Sequence, residues 1–547
     1  MTCCLVQILL LASFTATSIA GTSAGSRQVA DVESVYADVN DAVSIVATID
    51  SGFFTSYRGK DRAAWMQLYH KKRKELVKRL SKLPSQNLSA TDAKAITVMR
   101  TQLASFSENL SAPFSASGNC RDAQRRDKDL DYASLGAVLV VCFAESSKNL
   151  SFEGGKINRQ SALGMLHEVE QPERRKAAFL ALAPLWQAIN GNNEPDSPYR
   201  RLIAMAAAYA AKKGSEIDRA AHDIGVDNAQ VERWLEQILE AWRQVSSDQP
   251  VEPWNFSYRG AEAERLLASA TPHESLLPIN MRFYQDLGAD LKQLGVLYDI
   301  GSRPGEATIA STDFVAHGRM VRGNWQPTIT LVSEPSARGG LSVLNELVHE
   351  NGHAVNFTAI RNRPAFVDWP GALFGEAFAD VPSWSTFEPA WQRRYLGRDT
   401  PEQVSLRALY AGVILDVAWS LFELRMLRAP ATDPNALWTE ITNRYLHIVP
   451  HPELSWWAMR EQLVDPPGYM VNYGLGAVLT ADMREHIREA LGPFDTGNAC
   501  WYGWLGKQLL RYGSERDTRT LLQDFLGRPV SPQALLNQIH RLVPIPN

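Results

Sequence analysis

Apolar side chains recur at intervals of three and four residues along most of the chain, which is the period of an amphipathic α-helix. The interval is regular over residues 63–83, 173–182 and 198–213. Alternation of apolar and polar residues, which is typical of a β-strand, is mainly confined to residues 307–332. Proline and glycine punctuate the chain between such segments. The pattern therefore predicts a mainly α-helical protein with one small β-sheet.

The polar segment 192–199 interrupts the helical pattern and contains two prolines, Pro195 and Pro198. Polar segments with proline are typical of boundaries between parts of a protein that pack separately. A chain of 547 residues is long enough for two such parts. We therefore predict an amino-terminal helical layer over residues 25–195 and a second helical region over residues 196–547.

The first 24 residues differ from the rest of the chain. An apolar run occupies residues 5–11, and small residues follow it up to Ala24, as a signal-peptidase site requires. We predict that residues 1–24 are a signal peptide and that the mature protein is exported, to the periplasm or to the extracellular space. No lysine or arginine precedes the apolar run, so a buried or membrane-anchoring amino terminus is the alternative.

The charge pattern gives no sign of a nucleic-acid partner. The formal net charge is -4, and the main basic run, residues 71–82, is interleaved with apolar residues at helical spacing, as on a solvated helix face. After residue 24 the best candidate for a membrane span, residues 408–424, contains Asp416, whereas a span needs roughly 20 uninterrupted apolar residues. We therefore expect neither nucleic-acid binding nor stable membrane insertion once the signal peptide is removed.

Two cysteines, Cys120 and Cys142, are close enough in sequence to close a modest loop in an oxidising compartment. A disulfide between them is one hypothesis. Two buried thiols are the alternative, because residues 135–144 are apolar and a cysteine there packs as a small hydrophobic residue.

The segment 341–355 combines an apolar helix face with metal-binding side chains. Apolar residues at 341, 344, 347, 348, 354 and 355 form the stripe of an amphipathic helix. On this helix His349 and His353 are one turn apart and share a face, so both imidazoles can reach one ion at about 2.0 to 2.1 Å. Glu350 is then directed at water on that ion. The spacing predicts a site for one Zn2+ ion, with Glu350 as the general base.

A peptidase zinc site takes three protein ligands, so the third must come from elsewhere in the chain. Residues 370–381 have the pattern of a second helix, on which Glu376 and Asp380 are one turn apart. We predict that Glu376 is the third ligand and that Asp380 accepts the free N–H of a ligating histidine. The reverse assignment, with Asp380 as the ligand, is the alternative. Glu346 is either another such partner or a solvated carboxylate.

Four parts of the chain resemble known zinc peptidases: the motif from His349 to His353, the pair Glu376 and Asp380, residues 467–473, and the closing residues 522–536. Over residues 295–545 the chain thereby resembles the thimet oligopeptidase and neurolysin family and, more distantly, the angiotensin-converting enzyme family. The resemblance implies a two-lobed helical body with a deep central channel, zinc at its floor, and access for short peptides only.

The resemblance also implies roles for two tyrosines. Tyr473 would donate a hydrogen bond to the oxyanion that forms during peptide cleavage, and Tyr469 would lie beside the substrate. Tyrosine suits the first role because its hydroxyl stays protonated at neutral pH and can point a donor at negative charge. The alternative for each residue is a tyrosine of the hydrophobic core.

The chain also departs from the two families. They place a histidine several residues before the tyrosine pair, but residues 458–467 contain none, and His451 is the nearest one upstream. Arg460 is a substitute donor in this segment. His317, on the predicted strand before the metal helix, either faces the substrate, as an edge-strand residue does in the relatives, or lies on the surface.

These observations predict a zinc-dependent peptidase of short peptides, either an oligopeptidase or a peptidyl carboxypeptidase. Two other classes of function stay open. One is a catalytically inactive, metal-binding module that binds peptides or another protein, which the missing histidine favours. The other is a structural helical protein in which the metal motif is a coincidence.

Overall fold

The computed structural model describes residues 24–84, 86, 88–105, 130–148, 150–301, 310–336 and 338–543. Most of these residues are helical. The α-helices, in chain order, are α1 (Ala24–Asp50), α2 (Arg62–Leu80), α3 (Ala90–Ser105), α4 (Tyr132–Lys148), α5 (Arg159–Glu168), α6 (Pro172–Ala181), α7 (Ala183–Asn190), α8 (Pro198–Lys213), α9 (Glu216–Ile224), α10 (Asn228–Val245), α11 (Pro253–Gly260), α12 (Glu262–Leu267), α13 (His273–Asp286), α14 (Leu341–Ala359), α15 (Ala372–Ser383), α16 (Pro389–Leu396), α17 (Glu402–Arg428), α18 (Pro434–Leu446), α19 (Val471–Leu491), α20 (Trp501–Gln508), α21 (Thr518–Leu526) and α22 (Gln533–Ile539).

The strands are short. In chain order they are β1 (Ser56–Tyr57), β2 (Lys60–Asp61), β3 (Leu150–Phe152), β4 (Gly155–Ile157), β5 (Val296–Ile300), β6 (Ser311–Ala316), β7 (Arg319–Val321), β8 (Asn324–Gln326) and β9 (Ile329–Glu334). Three pairs of consecutive strands form two-stranded antiparallel sheets: β1 with β2, β3 with β4, and β7 with β8.

The three remaining strands form a sheet in the order β5-β9-β6, with β5 parallel and β6 antiparallel to β9. The register between β6 and β9 shifts between Phe314 and Ala316. The sheet directly precedes α14 in sequence and packs against it. The predicted fold class, mainly α-helical with a small sheet beside the metal helix, is therefore confirmed.

Two hydrophobic cores hold these elements together. The larger one contains buried residues from Leu135 to Leu542, including most of the inward faces of α14, α15, α17 and α19. The smaller one joins α1, α2 and α3 to the three-stranded sheet, where Val315 and Leu331 are buried. The amino-terminal helices are thus fixed against β6. The larger core has members on both sides of residue 195, and the division at that residue stays a prediction.

The ends of several helices follow directly from side-chain chemistry. α9 begins with a capping box in which Ser215 and Asp218 each accept a backbone N–H of the other. α10 begins with Asp227, whose side chain accepts the N–H of Gln230. α14, in contrast, has no capping side chain and follows Gly340, whose φ of 133° disfavours any residue with a Cβ.

Among the described helices, α17 is long and apolar enough to cross a membrane by length and composition. However, 56% of the most apolar 18-residue stretch of this helix is buried inside the protein. The helix packs against α10 and α19. It also carries Glu423, which is fully buried. These are the properties of a helix in the core of a folded protein.

Two predictions concern residues that are outside the described part of the chain. The predicted signal peptide covers residues 1–24, of which 1–23 lie outside, so export stays a prediction. Cys120 also lies outside. Cys142 is buried on α4 and is disulfide-bonded, so the alternative of a buried thiol is wrong for this residue.

Candidate metal centre

The centre is built on two helices, α14 and α15, that pack closely at Gly352. This glycine lies between the two histidines of α14, against Ala379 of α15. A Cβ at position 352 would lie 2.6 Å from the Cα and 2.7 Å from the carbonyl oxygen of Ala379, well inside van der Waals contact. Only glycine permits this approach, which brings the metal-binding faces of the two helices together.

Three side chains converge between these helices. Nε2 of His349 lies 3.6 Å from Oε2 of Glu376, and Nε2 of His353 lies 3.9 Å from the same oxygen. The imidazole rings of His349 and His353 are 4.8 Å apart and nearly perpendicular. Ligands at about 2.0 to 2.1 Å from a tetrahedral zinc ion are about 3.3 to 3.5 Å from one another, so small shifts would accommodate the ion. The residues present therefore fit a zinc site.

Asp380 holds one of the two imidazoles. Its Oδ1 lies 2.7 Å from Nδ1 of His349, and the Ser383 hydroxyl donates to the same oxygen at 3.1 Å. A proton on Nδ1 leaves the Nε2 lone pair of His349 directed at Glu376, which is the tautomer a ligand needs. This arrangement favours Asp380 as the partner of a ligand over Asp380 as a ligand. Glu346 is exposed and makes no hydrogen bond to either imidazole.

The other imidazole is held differently. Nδ1 of His353 is buried and has no hydrogen-bond partner among the described residues. The ring packs beside Trp369, at 5.1 Å between centroids. Burial, with the charge of His349 nearby, lowers the pKa of His353 to about 4, so this imidazole is neutral at physiological pH. A neutral imidazole is the form that binds a metal.

The pKa values of His349 and Glu376 depend on one another. Burial by itself lowers the pKa of His349, but the charge and hydrogen bond of Asp380, with the hydrogen bond of Glu376, raise it well above its usual value. Burial by itself raises the pKa of Glu376, but the hydrogen bond and the positive charge of His349 lower it overall. Glu376 is therefore ionised, as a metal ligand must be, and metal binding requires His349 to release its proton.

Glu350 is buried beside this group and points toward β6. The hydroxyl of Thr312 lies 2.7 Å from Oε2 and 2.7 Å from the backbone oxygen of Glu350. Ligand atoms of His349, Glu350 and His353 all lie within 4.8 Å of one another, so distance alone would also admit Glu350 as a ligand. Glu376 lies within 4 Å of both Nε2 atoms and Thr312 occupies one oxygen of Glu350, and Glu376 as the third ligand stays a prediction. Burial raises the pKa of Glu350 to about 8.

The two predicted tyrosines lie at the start of α19. The Tyr469 hydroxyl donates to Oε1 of Glu376 at 2.9 Å, so this residue holds a predicted ligand. The Tyr473 ring lies 5.9 Å from the Tyr469 ring and is half-buried. Its hydroxyl makes no hydrogen bond to the described residues, which leaves its proton available to a bound molecule. Burial and the charge of Glu376 raise the pKa of Tyr473 well above its usual value, which keeps the hydroxyl protonated.

The backbone around these tyrosines is hydrogen-bonded to a side chain of helix α17. We call residues 466–473 the tyrosine segment. The carboxylate of Glu423, which is fully buried, accepts the N–H of Gly468 and the N–H of Met470, both at 2.8 Å, on either side of Tyr469. Burial raises the pKa of Glu423 to about 8. No sequence pattern singled out this residue, although Glu423 is one of only two glutamates in the largely apolar helix α17.

Two other candidates have partners of their own. Arg460 forms an ion pair with Asp416 and stacks over the ring of Trp419, with its guanidinium carbon 5.9 Å from the centroid of the Tyr473 ring. Its charge is therefore already compensated. His451 makes hydrogen bonds to Glu453 and Glu252, at 2.7 and 2.8 Å.

Neither a protein-family model nor a curated protein matches the sequence. Many solved structures share its fold, among them two carboxypeptidases. One is the M32 carboxypeptidase from Deinococcus radiodurans R1, with 14% sequence identity over 94% of this chain and 98% of the other, and a TM-score of 0.54. The other is metallocarboxypeptidase 1 from Trypanosoma cruzi, with 13% identity over 94% and 99% of the chains and the same TM-score.

At such identities the likeness shows the fold alone. It extends over nearly the whole of both chains, so the helical architecture is that of known metallocarboxypeptidases. The expected kinship with the thimet oligopeptidase or angiotensin-converting enzyme family is not specifically shown.

Proposed function

We propose that this protein is a zinc-dependent peptidase that hydrolyses short peptides. The observation that carries the proposal is the convergence of two imidazole Nε2 atoms on one oxygen of Glu376, at 3.6 and 3.9 Å, with the buried carboxylate of Glu350 beside them. The metallocarboxypeptidase fold of the two neighbours supports it.

The residues divide the chemistry among them. His349, His353 and Glu376 would hold one zinc ion, which when bound polarises a peptide carbonyl and lowers the pKa of water. Glu350 accepts a proton from that water and passes it to the departing amine, so no covalent intermediate with the protein is needed. Thr312 orients Glu350 for this task through the hydrogen bond to Oε2.

The tyrosines have separate tasks in this proposal. Tyr473 directs its hydroxyl at the negative charge that develops on the carbonyl oxygen, which stabilises the transition state. Tyr469 fixes Glu376 by its hydrogen bond, and so acts through the metal rather than on the substrate.

We propose that the substrate pairs with β6. Within the described part of the chain β6 is an edge strand, with β9 on one side only, and its Thr312 touches Glu350. An edge strand offers backbone N–H and C=O groups to an extended peptide. The names of the two fold neighbours favour cleavage near the carboxyl end of the peptide.

A catalytically inactive, metal-binding module that binds peptides is the second candidate. The observation in its favour is that the segment before the tyrosines lacks a histidine, and that Arg460 is engaged by Asp416. Such a protein would bind zinc and peptides with no turnover.

The variant Glu350→Gln separates the two candidates, because it removes the base and keeps the ligands. We expect the wild-type protein to contain zinc and to cleave a mixture of short peptides, and to lose cleavage when a chelator is added. Glu350→Gln should keep its zinc and lose cleavage by about 100-fold or more. Cleavage by Glu350→Gln at the wild-type rate would refute the role of Glu350, and zinc binding without any wild-type cleavage would favour the inactive module.

We also propose that the protein is exported to the periplasm or the extracellular space. The disulfide of Cys142 supports this, because disulfides persist mainly in oxidising compartments. Fractionation of the native host, with amino-terminal sequencing of the mature protein, tests the proposal.

A further inference from the structure

A cavity of about 210 Å³ lies where β6 ends, between the amino-terminal helices and the segment that leads into α15. Tyr36 and Asn40 of α1 line one side, and Phe314 and His317 line the strand side. Asp368 lines the side nearest α15. Residues of α3 and Ser514 complete the lining, so the cavity is built by five separate parts of the chain.

Asp368 gives this cavity an uncompensated negative charge. Its Oδ1 accepts the N–H of Trp369 at 2.8 Å, and no cationic side chain of the described residues lies within ion-pair distance of it. Burial raises the pKa of Asp368 to about 6, so the carboxylate is mostly ionised at neutral pH. Asp368 is half-buried in the cavity wall, and a partly desolvated charge without a partner is costly, which makes the cavity suited to a cationic group.

The other polar groups of the cavity do not supply that cation. Nδ1 of His317 lies 3.0 Å from Oδ1 of Asp41, and burial, opposed by the charge of Asp368, lowers the pKa of His317 to about 4, so the ring is neutral. His317 is therefore neither a surface residue nor a positive charge. Burial raises the pKa of Tyr36 to about 12, so its hydroxyl is also neutral.

The strand β6 connects this cavity to the metal centre. Thr312 near its start contacts Glu350, and His317 just after its end lines the cavity. At about 3.3 Å per residue, the five residue steps from Thr312 to His317 span roughly 16 Å. Between the cavity and the metal centre, the ring of Trp369 packs beside the rings of Phe357 and His353, at 5.0 and 5.1 Å between centroids.

We propose that the cavity binds the free amino terminus of a peptide substrate that runs antiparallel to β6. The proposal rests on the peptidase function proposed above. Since β6 runs from Glu350 toward the cavity, an antiparallel peptide begins in the cavity and reaches the metal centre with its carboxyl-terminal part. Its α-ammonium group then lies beside Asp368, whereas a parallel peptide would bring a carboxylate to the same place and be repelled.

The test compares peptides of one sequence, about seven residues long, with a free or an acetylated amino terminus. For the wild-type protein we expect kcat/KM to be about tenfold higher with the free terminus, as expected for one charged hydrogen bond. Asp368→Asn should bring the two values within about twofold, whereas the exposed Asp196→Asn should keep the wild-type preference. Equal values for both peptides in the wild-type protein would overturn the proposal, as would a preference that survives Asp368→Asn.

A second variant tests the proposal in case Asp368→Asn does not fold. Ser44→Leu fills the cavity from α1 and leaves Asp368 intact, so it should also abolish the preference for the free terminus. Zinc content and melting temperature show whether each variant is folded. If Asp368→Asn does not fold, the result with Ser44→Leu decides, and a retained preference in this variant contradicts the proposal.

Calorimetry with the Glu350→Gln protein separates this proposal from the peptidase function, because it measures peptide binding without cleavage. We expect the free-terminus peptide to bind about tenfold more tightly than the acetylated one, and the difference to vanish in the double variant with Asp368→Asn. If the wild-type protein cleaves no peptide but this difference is seen, the peptidase function fails and the amino-terminal site stands. If peptides are cleaved but bind equally with either terminus, only the site fails.

Discussion

The helix pair α14–α15 and the tyrosine segment contribute to one centre but are positioned in different ways. In the helix pair, the groups proposed to bind and support the metal are spaced one turn apart on each helix, at His349 and His353 and at Glu376 and Asp380. In the tyrosine segment, the backbone around Tyr469 is held by Glu423, which lies on a different helix, 45 residues from Gly468. The helix pair depends on local period and close packing, and the segment depends on one distant, buried carboxylate.

The largest effect is expected when one proposed metal ligand of the helix pair is removed. His353→Ala should abolish zinc binding and peptide cleavage together, because two remaining ligands hold the ion too weakly. Metal analysis of the purified protein measures the first effect. His222→Ala, at an exposed histidine of α9, is the control and should keep its zinc. A His353→Ala protein with a full complement of zinc would show that this residue is not a ligand.

A less direct way is to separate the two helices. Gly352→Ala places a methyl group against the backbone of Ala379, and we expect it to lower the free energy of unfolding by about 2 to 3 kcal/mol. Urea denaturation measures this change. Gly412→Ala is a matched control in helix α17, where a Cβ meets no atom within 4 Å, and it should raise the free energy of unfolding by about 0.5 to 1 kcal/mol. Equal effects of the two variants would contradict the close approach of α14 and α15.

The support of a ligand is expected to matter less than the ligand itself. Asp380→Asn removes the charge beside Nδ1 of His349 and should weaken zinc binding by about 10- to 100-fold. Competition with a chromophoric chelator gives the dissociation constant. Asp524→Asn, on the exposed side of α21, is the control. Complete loss of zinc in Asp380→Asn would instead favour Asp380 as a ligand.

The smallest effect is expected for the tyrosine segment. In Glu423→Gln one oxygen can still accept a backbone N–H, but the amide nitrogen cannot, so the segment loses one of its two anchoring bonds. We expect kcat to fall about tenfold, with zinc content unchanged and KM little affected, because the tyrosines act mainly in the transition state. Glu440→Gln, at an exposed position of α18, should leave kcat unchanged. A Glu423→Gln protein that loses zinc in proportion to activity would show that Glu423 serves overall stability.

Much of this centre was predictable from the sequence because its parts are short-range. The period of apolar residues predicted the helices, and the intervals 349–353 and 376–380 placed two pairs of side chains on helix faces before any packing was known. The small sheet before α14 was predicted from alternation over residues 307–332, and β6 and β9 lie there. Each of these inferences needs only the geometry of one helix or one strand.

The partners of those residues were not predictable in the same way. Tyr469 was expected beside the substrate, which stays a prediction, and its hydrogen bond to Glu376 was not expected. Arg460 was considered as a free donor, but Asp416 engages it. His317 was expected at the substrate or on the surface; it pairs with Asp41 and lines the cavity at the end of β6. In each case the partner comes from a different element, and no interval along the chain encodes it.

By itself, the sequence determined that the chain is helical and that two imidazoles and Glu350 share one helix, since both follow from the 3.6-residue period. Only the tertiary structure decided that Gly352 brings α15 within reach, that Thr312 and Glu423 hold groups far from them in sequence, and that Asp368 faces a cavity without a cation. The physical reason is that side-chain direction within an element is set locally. Which elements touch is set by how all of their apolar faces are buried at once.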